Sequence, residues 1–447
     1  MRLGTRWKTI CLLLCWCLLV SKAATADDPT DRPATFAGKT VEQWATILSQ
    51  HVDGPSDEEK EISRQAASAL GLIGPPSASA VEPLTRAIRS PSLEVRDHAV
   101  DALGRIGAAA AAAVPTIIAE MDLPPSHINY APLAAFRREA ARSLGRIGPP
   151  AKAAVPLLGR ALKNEDRGYR VQAALALWRI LQQPQAIDFL AAMIDADQPE
   201  TSYDALMALG QIGPAAQRVL PRVVAALDHP QSDVRRAAAD LLARWGPLVI
   251  EPVAGRIQQG SLRWPAPAAY VLGEVSGDLR ETVFYREGID RAEFAATAQP
   301  VLQFAAPALI RLLSDPREPV RQTAQRSLAQ MGLLAAPLVT DLLDNQDAAV
   351  RMAAAQTLVQ IEAFLPPDTV SNESLEALRR NLLNRVVRQM EQDDPDTRAV
   401  AFRAFASIDF GDQGRSALPL LRRALKDENL AVRRYAAQAL REVDGAD

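Results

Sequence analysis

The chain is poor in the residues that most chemical sites require. Its only cysteines, Cys11, Cys15 and Cys17, lie near the N-terminus, so the rest can form no disulfide and offers no thiolate for catalysis or metal binding. There are four histidines, none with the spacing of a metal site, and aromatic residues make up 5%. No phosphate-binding loop, nucleophile elbow or dinucleotide glycine motif is present. The sequence therefore predicts no catalytic, cofactor-binding or metal-binding residue.

The apolar run near the N-terminus is short, because residues 10–20 fall well below the about 20 residues that span a bilayer. Arg2, Arg6 and Lys8 precede it, and a small-x-small site at residues 24–26 follows it. This layout predicts a secretory signal peptide over residues 1–26, cleaved after Ala26, and a secreted or periplasmic protein. Failure of cleavage would instead give a membrane-tethered protein.

Excess positive charge is also absent. The formal net charge is −3 at pH 7, and loss of the leader, with four basic residues and no acidic one, would lower it to −7. A nucleic-acid-binding protein normally carries a basic footprint, so the charge argues against nucleic acid as a partner.

What the chain does have is a repeat. One copy reads Val95-Arg96 through Leu103-Gly104-Arg105-Ile106-Gly107, and steps of mostly 30 to 35 residues separate the equivalent leucines. Each copy predicts a first helix with Val-Arg and the anchor leucine, a glycine stop, and a second helix with proline in its first turn. One helix pair cannot bury its apolar stripe alone, so neighbouring pairs must stack. We expect an all-α superhelix, a solenoid of about eleven helix pairs.

The Val-Arg pair, the Leu-Gly-x-Ile-Gly-Pro ending and the Val-Pro-x-Leu second helix resemble HEAT repeats, in particular those of bacterial phycobilisome lyases. The segment from Gly38 to Trp44 resembles the opening of secreted bacterial HEAT-repeat proteins. Thr40 and Gln43 have capping-box spacing, which predicts a helix from Val41. The resemblance implies the fold strongly and an activity hardly at all.

The predicted organisation has four parts. After the leader comes a flexible segment over residues 27–37, then a capping helix and linker over residues 38–60. The solenoid occupies residues 61–447, with insertions near 123–134, 276–300 and 363–378 where the step lengthens. Insertions in a solenoid often carry binding, although drift in a loop is the alternative for each.

Two sets of arginines recur at equivalent positions. We assign the first set, on the first helices, to stacking through carboxylates and turn carbonyls rather than to anion binding. It comprises Arg96, Arg137, Arg170, Arg235, Arg321, Arg351, Arg398 and Arg433. The second set lies on the second helices, which usually line the concave face in HEAT-like folds, and an ordinary solvated surface is its alternative role. With aromatic residues of the insertions, it gives the candidate partner-binding residues Arg86, Arg160, Arg222, Arg311, Arg423, Tyr130, Phe284 and Tyr285.

The sequence thus favours a non-catalytic scaffold or adaptor that binds unidentified proteins outside the cytoplasm, without cofactors, nucleic acid or, beyond the leader, membrane. The family resemblance leaves a lyase-like enzyme or accessory factor as an alternative. The oligomeric state is open.

Overall fold

A computed structural model describes residues 35–123, 130–194, 199–285, 298–363, 372–407 and 410–444. These residues are helical except for one small hairpin near the N-terminus and the connecting turns. The chain divides into two compact units, Met1–Pro184 and Gln185–Asp447. The predicted signal peptide lies outside the described residues.

The hairpin pairs β1 (Thr35–Phe36) with β2 (Lys39–Thr40) in antiparallel register, directly before helix α1 (Val41–His51). Thr40 and Gln43 form the capping box, so the predicted helix start at Val41 is confirmed. The indole Nε1 of Trp44 donates to the carbonyl oxygen of Phe36 at 3.0 Å. Trp44 and Leu48 are buried, which anchors the hairpin and α1 to the first full copy.

In the first unit, first and second helices alternate after α1. The first helices are α2 (Asp57–Ile73), α4 (Leu93–Ile106), α6 (Tyr130–Ile147) and α8 (Arg167–Leu181). The second helices are α3 (Val81–Ala87), α5 (Val114–Met121) and α7 (Val155–Ala161).

The second unit continues the alternation. Its first helices are α10 (Pro199–Ile212), α12 (Ser232–Trp245), α14 (Pro265–Tyr285), α16 (Glu318–Met331), α18 (Ala348–Ala363), α20 (Pro395–Phe405) and α22 (Leu430–Asp444). Its second helices are α9 (Pro184–Met193), α11 (Leu220–Ala225), α13 (Ile250–Gln258), α15 (Ala306–Leu312), α17 (Ala336–Asp341), α19 (Asn372–Met390) and α21 (Leu418–Ala424).

Glycine ends the first helices, as the repeat predicts. The closing glycines have positive φ, where a Cβ would be strained, and they are Gly74, Gly107, Gly148, Gly213, Gly246 and Gly332. At the end of α8 Gln182 also has a positive φ, of 54°, but its ψ of 29° places it in the left-handed helical region. A 3-10 segment usually follows, and proline then occupies the first turn of second helices such as α5, α7 and α15.

The core is aliphatic and lies between the two helix layers of each unit. The anchor leucines Leu103, Leu144 and Leu242 are fully buried, as are alanines one turn away such as Ala99 and Ala140. Buried leucine supplies most of the hydrophobic free energy of each copy, while alanine lets neighbouring helices approach.

The first glycine of Leu-Gly-x-Ile-Gly marks the closest approach between successive first helices. A Cβ at Gly104 would lie 2.7 Å from the Cα of Ser143 in the next copy, and one at Gly145 would lie 2.9 Å from the Cα of Ala176. In each case the facing residue is the small one that precedes the next anchor leucine. Glycine at this position therefore sets the spacing of the first-helix layer.

One stretch, Leu93–Met121, is long and apolar enough to cross a membrane by length and composition alone. In the structure Gly107 divides it into α4, a 3-10 segment and α5, and these form one copy of the repeat. About half of its most apolar window is buried. Its apolar character thus belongs to the core of the first unit.

The three predicted insertions are described only at their edges. Residues 124–129, 286–297 and 364–371 lie outside the described residues. Beside these gaps, α6 begins at Tyr130, α14 continues to Tyr285, and α19 begins at Asn372. The N-terminal described part of the second insertion, residues 276–285, is therefore a helical extension of α14.

The close contact between Gly104 and the next first helix gives a stability prediction. Gly104→Ala should destabilise the protein by about 1–3 kcal/mol, because its Cβ would meet the backbone of α6. Gly159→Ala is the matched control: Gly159 lies inside α7, and no atom of the described chain lies within 4 Å of the added Cβ. The control should be neutral or stabilising by up to about 1 kcal/mol. Urea unfolding measures both, and equal effects would contradict the spacing role of Gly104.

Candidate functional site

The first set of arginines lies where each first helix begins. In four members of the set, the guanidinium Nη1 donates to two carbonyl oxygens of the turn that closes the preceding copy. For Arg235 these are the carbonyls of His229 and Pro230, both at 2.7 Å, and for Arg433 those of Asp427 and Glu428 at 2.7 and 2.9 Å. Arg351 and Arg398 repeat the arrangement. These turn carbonyls would otherwise lack an intrahelical partner.

The remaining guanidinium atoms of several of these arginines reach the next copy. Arg398 forks onto both carboxylate oxygens of Asp427, at 2.9 and 3.1 Å, in a pair that is largely buried. Arg96 and Arg235 instead stack on aromatic rings of the next copy, 4.8 Å from Phe136 and 4.3 Å from Trp264. Arg235 and Arg398 thereby join a turn to the two copies beside it, whereas Arg96 joins Phe136 to Glu120, whose carboxylate lies 2.9 Å from its Nη2.

At two positions where the arginine is replaced, other polar groups form hydrogen bonds to the backbone of the turn. Ser202 occupies the position in α10, and its hydroxyl donates to the carbonyl of Ile194 at 2.5 Å. Pro265 occupies it in α14, where the carboxylate of Asp228 accepts from the backbone amides of Arg263 and Trp264 at 2.7 and 3.1 Å.

Several arginines of the second set contact the preceding copy. Arg160 binds Asp122 at the end of α5 at 2.9 Å, and Arg311 donates to the carbonyl of Gln258 at the end of α13 at 2.8 Å. Arg86 donates to the hydroxyl of Ser49 at 3.3 Å. Arg385, which the sequence analysis did not single out, binds Asp341 and Asp344 in the same way at 2.7 and 3.1 Å. A cation near a helix C-terminus interacts favourably with the helix dipole. These arginines therefore stabilise the contact between successive copies.

The remaining candidate partner-binding residues lie on separate helices. Arg222 is an exposed residue of α11, and Arg423 lines a hollow of about 700 Å³ beside Arg422 and Glu428. Tyr130 begins α6, whereas Phe284 and Tyr285 end α14, and the side chains of these three lie outside the described residues. The structure does not bring these candidates together into one site.

A groove on the first-helix layer of the second unit holds the clearest cluster of exposed apolar side chains. Tyr203 and Met207 on α10 and Tyr270 on α14 are 39%, 41% and 39% exposed. They line a hollow of about 530 Å³ that crosses α12. We call this surface the aromatic groove, and its lining also includes Arg236, Asp240, Arg244, Glu274 and Asp278.

Both charge signs surround the apolar residues of the aromatic groove. Arg236 and Arg244 stand on α12, and Glu274 and Asp278 stand on α14. Burial first, and the carboxylates of Glu274 and Asp240 next, raise the pKa of Tyr270 above its ordinary value. The phenol of Tyr270 therefore stays protonated near neutral pH and can donate a hydrogen bond.

This groove was not predicted from the sequence, although a signal for it was present. Met207 and Tyr270 stand two residues before the anchor leucine, where other copies mostly carry polar side chains such as Asp101, Arg142 and Gln356. Large apolar residues at a solvent-facing position of a repeat indicate a surface that something else covers.

A second feature was missed in the first unit. The variable residue of Leu-Gly-x-Ile-Gly is arginine in three successive copies, at Arg105, Arg146 and Arg179. Asp101 lies between two of them, 2.7 Å from Arg105 and 2.6 Å from Arg146. We call these three residues the arginine ladder.

Among the residues that the structure describes, no group of three or more histidine, cysteine or acidic side chains is arranged to hold a metal ion. His98 lies 3.4 Å from Arg64, and His229 accepts from the backbone amide of Gln231 at 3.1 Å. The first contact joins two adjacent copies and the second lies within one turn.

Alternating antiparallel helices, stacked in two layers with one repeated set of turns, define an α-α superhelical repeat protein. Models of HEAT repeats match residues 49–120, 128–210, 306–391 and 382–447. Because these segments cover more than half of the chain, it belongs to the HEAT-repeat family. Much of the aromatic groove, including Asp240 and Tyr270, lies in the stretch between the second and third matched segments.

Solved structures with a similar fold include Kap121p bound to Pho4p, at 12% identity and a TM-score of 0.54, over 96% of this chain and 49% of the Kap121p chain. Another crystal structure of Kap121p gives 13% identity and a TM-score of 0.51 over the same shares of the two chains. Kap121p bound to Ste12p gives 12% identity and a TM-score of 0.53, over 91% of this chain and 46% of the Kap121p chain. The chain thus spans about half the length of these proteins, and the likeness shows the fold alone. No curated protein matches the sequence.

One carboxyl group of the first-helix layer gives a pH prediction. Burial raises the pKa of Asp97 in α4 to about 6, an effect that Arg96 opposes and Glu94 supports. Its Oδ1 accepts no hydrogen bond from any residue that the structure describes. Unfolded aspartate titrates near about 3.9, so the folded state binds more protons between about pH 4 and 6.

The contribution of Asp97 to stability should therefore fall as the pH rises through this window and stay low at pH 7. Asp97→Asn should reduce the loss of stability between about pH 4 and 6. At pH 7 it should stabilise the protein by about 1 kcal/mol, after allowance for solvent screening. Urea unfolding at pH 4.5 and 7 measures this, with Asp53→Asn in an exposed turn as control. A larger gain at pH 4.5 than at pH 7 would contradict the prediction.

Proposed function

We propose that this HEAT-repeat chain is a non-catalytic scaffold that binds other proteins outside the cytoplasm through the aromatic groove. The observation that carries the proposal is the joint exposure of Tyr203, Met207 and Tyr270 on α10 and α14, which pack on either side of α12. Apolar side chains of this size are normally covered, and a contiguous group of them is typical of an interaction surface.

The chemistry of the groove favours a protein partner. Tyrosine, methionine and arginine are enriched in the centres of protein interfaces, and aromatic residues carry much of the binding free energy. Acidic side chains on α14 and side chains of both signs on α12 supply the polar rim that gives specificity. A bound segment would cover the apolar residues and find hydrogen-bond partners at both edges.

The comparison with Kap121p supports the proposal at the level of the fold. Its structures with Pho4p and Ste12p are those of a similar superhelix bound to other proteins. A long, preformed surface allows modest contacts to be distributed over several repeats. Those partners belong to Kap121p, and the partner of this chain is to be identified by experiment.

The location outside the cytoplasm rests on the predicted leader over residues 1–26. The lyase-like and membrane-tethered alternatives stay predictions of the sequence. Lyase activity has no support in a specific residue beyond the repeat, and the tether depends on whether the leader is cleaved.

The groove is tested by comparing two exposed apolar positions of the same unit. A photo-crosslinking residue at Met207 should capture a protein partner in the cell, whereas the same residue at Leu248, outside the groove, should not. Leu248 is a matched control because the two side chains are similarly exposed, at 41% and 40%. With the purified partner, Met207→Asp should weaken binding by about thirtyfold, the effect of losing about 2 kcal/mol at the centre of an interface.

Leu248→Asp, the matched control, should leave the dissociation constant within about twofold. Thermal unfolding of both variants establishes that they fold. The same adducts from both positions, or an unchanged affinity for Met207→Asp, would contradict a binding role of the groove.

The location has its own test. N-terminal sequencing of the exported protein should begin at Asp27, because the small residues at 24–26 form the cleavage site. Recovery of a membrane-bound form that still carries Met1 would favour the tethered scaffold instead.

A further inference from the structure

Two carboxylates of the aromatic groove stand at repeat positions that carry an ion pair in the first unit. There Asp101, two residues before the anchor leucine of its copy, binds Arg146, two residues after the anchor leucine of the next copy, at 2.6 Å. Counted in the same way, the adjacent helices α12 and α14 carry Asp240 and Glu274. The second unit therefore has two acidic residues where the first unit has an acidic and a basic one.

The arginines of the groove do not pair with these carboxylates. Arg236 binds another aspartate of α12 at 3.0 Å. Arg244 donates its Nε to the backbone carbonyl of Asp240 at 3.2 Å, and its Nη2 lies 3.0 Å from the position of a Cβ built at Gly210, so its guanidinium leans toward α10. Among the residues that the structure describes, Asp240 and Glu274 thus form no ion pair.

The ring of Tyr270 lies beside both carboxylates. Burial first, and the charges of Glu274 and Asp240 next, raise the pKa of Tyr270, which indicates that both carboxylates are near its phenol. Glu274 is oriented by Gln330, whose Nε2 donates to its Oε1 at 2.8 Å. Tyr270 is exposed within the hollow, so a ligand can reach it. An aromatic ring beside carboxylates without a counter-ion attracts a cation.

The hollow as a whole carries more negative than positive charge. Its lining has three carboxylates and two guanidinium groups, those of Asp240, Glu274, Asp278, Arg236 and Arg244. Outside the lining, Asp204 follows Tyr203 on α10 and Arg326 stands on α16, and these two exposed groups leave the balance unchanged. A cationic group of a partner would therefore complement the charge of the groove.

The same combination of ring and carboxylate is occupied by arginine elsewhere in the chain. Arg96 lies over the ring of Phe136 at 4.8 Å and binds Glu120 at 2.9 Å. The planar guanidinium has five donors, so it can stack on an aromatic face while it forms hydrogen bonds to carboxylates. An ammonium group is a compact charge without a flat face. The surroundings of Tyr270 therefore suit a guanidinium better than an ammonium group.

We propose that the aromatic groove binds an arginine side chain of the partner protein, with its guanidinium between Asp240 and Glu274 and against the ring of Tyr270. Apolar residues beside this arginine would cover Tyr203 and Met207. The inference rests on the proposed function, because it gives the chemistry of the partner segment that occupies the same groove.

The experiment uses three peptides that carry an uncharged dye and differ in one residue. The first is Leu-Ala-Arg-Ala-Leu, and the others have citrulline or lysine in place of the arginine. Citrulline keeps the shape of arginine without its charge. Binding to the full chain is measured by fluorescence anisotropy at physiological ionic strength. The arginine peptide should bind at least about fivefold tighter than the citrulline peptide and about threefold tighter than the lysine peptide.

Asp240→Asn and Glu274→Gln should each weaken binding of the arginine peptide by about threefold and leave binding of the citrulline peptide unchanged, because they remove charge and keep shape. Glu200→Gln is the matched control, since it removes the same group from an exposed position of α10 outside the hollow. It should leave both affinities unchanged. Thermal unfolding verifies the fold of each variant.

Equal affinity of the unaltered chain for the arginine and citrulline peptides would overturn the proposal. An equal loss in Glu274→Gln and Glu200→Gln would overturn it in favour of general charge attraction, and equal affinity for the lysine peptide would overturn the choice of arginine.

Failure of this inference and failure of the groove are separate results. Met207→Asp should weaken binding of the citrulline peptide, which carries no charge and is held by apolar contacts alone. If that effect is seen without a preference for arginine, the groove stands and the arginine site fails. If Met207→Asp changes the affinity for neither peptide, the groove itself fails.

Discussion

The close approach of successive first helices is the constraint on which the rest of the structure depends. Glycine in one copy meets serine or alanine in the next, with room for no more than a hydrogen at positions such as Gly104. This spacing explains why the core is made of leucine and alanine and why the chain has so few aromatic residues. It also determines where side chains on the outer face of that layer recur.

Arginine side chains connect successive copies, and they do so through three kinds of contact. At the start of first helices it binds the carbonyls of the preceding turn, as Arg235 does. On second helices it contacts the C-terminal end of the preceding second helix, as Arg160 does. On the ladder its stem lies over a glycine, as with Arg105. The planar guanidinium with five donors suits all three, because it can bind two neighbouring copies at once.

The proposed binding surface lies where copies depart from their common pattern. In the second unit, polar positions are replaced by Tyr203, Met207 and Tyr270, and an apolar groove results. Beside it, Glu274 takes the position that Arg146 has in the first unit, so Asp240 faces no cation of the next copy.

The sequence by itself determined the fold class, the glycine stops, the prolines of the second helices and the helix start at Val41. These follow from local rules of helix formation and from the need of each copy to bury its leucines against the next. Only the tertiary structure decided which arginines face each other and that Tyr203, Met207 and Tyr270 share one groove. Those residues lie on different helices, and their proximity depends on how the copies stack, which no single copy specifies.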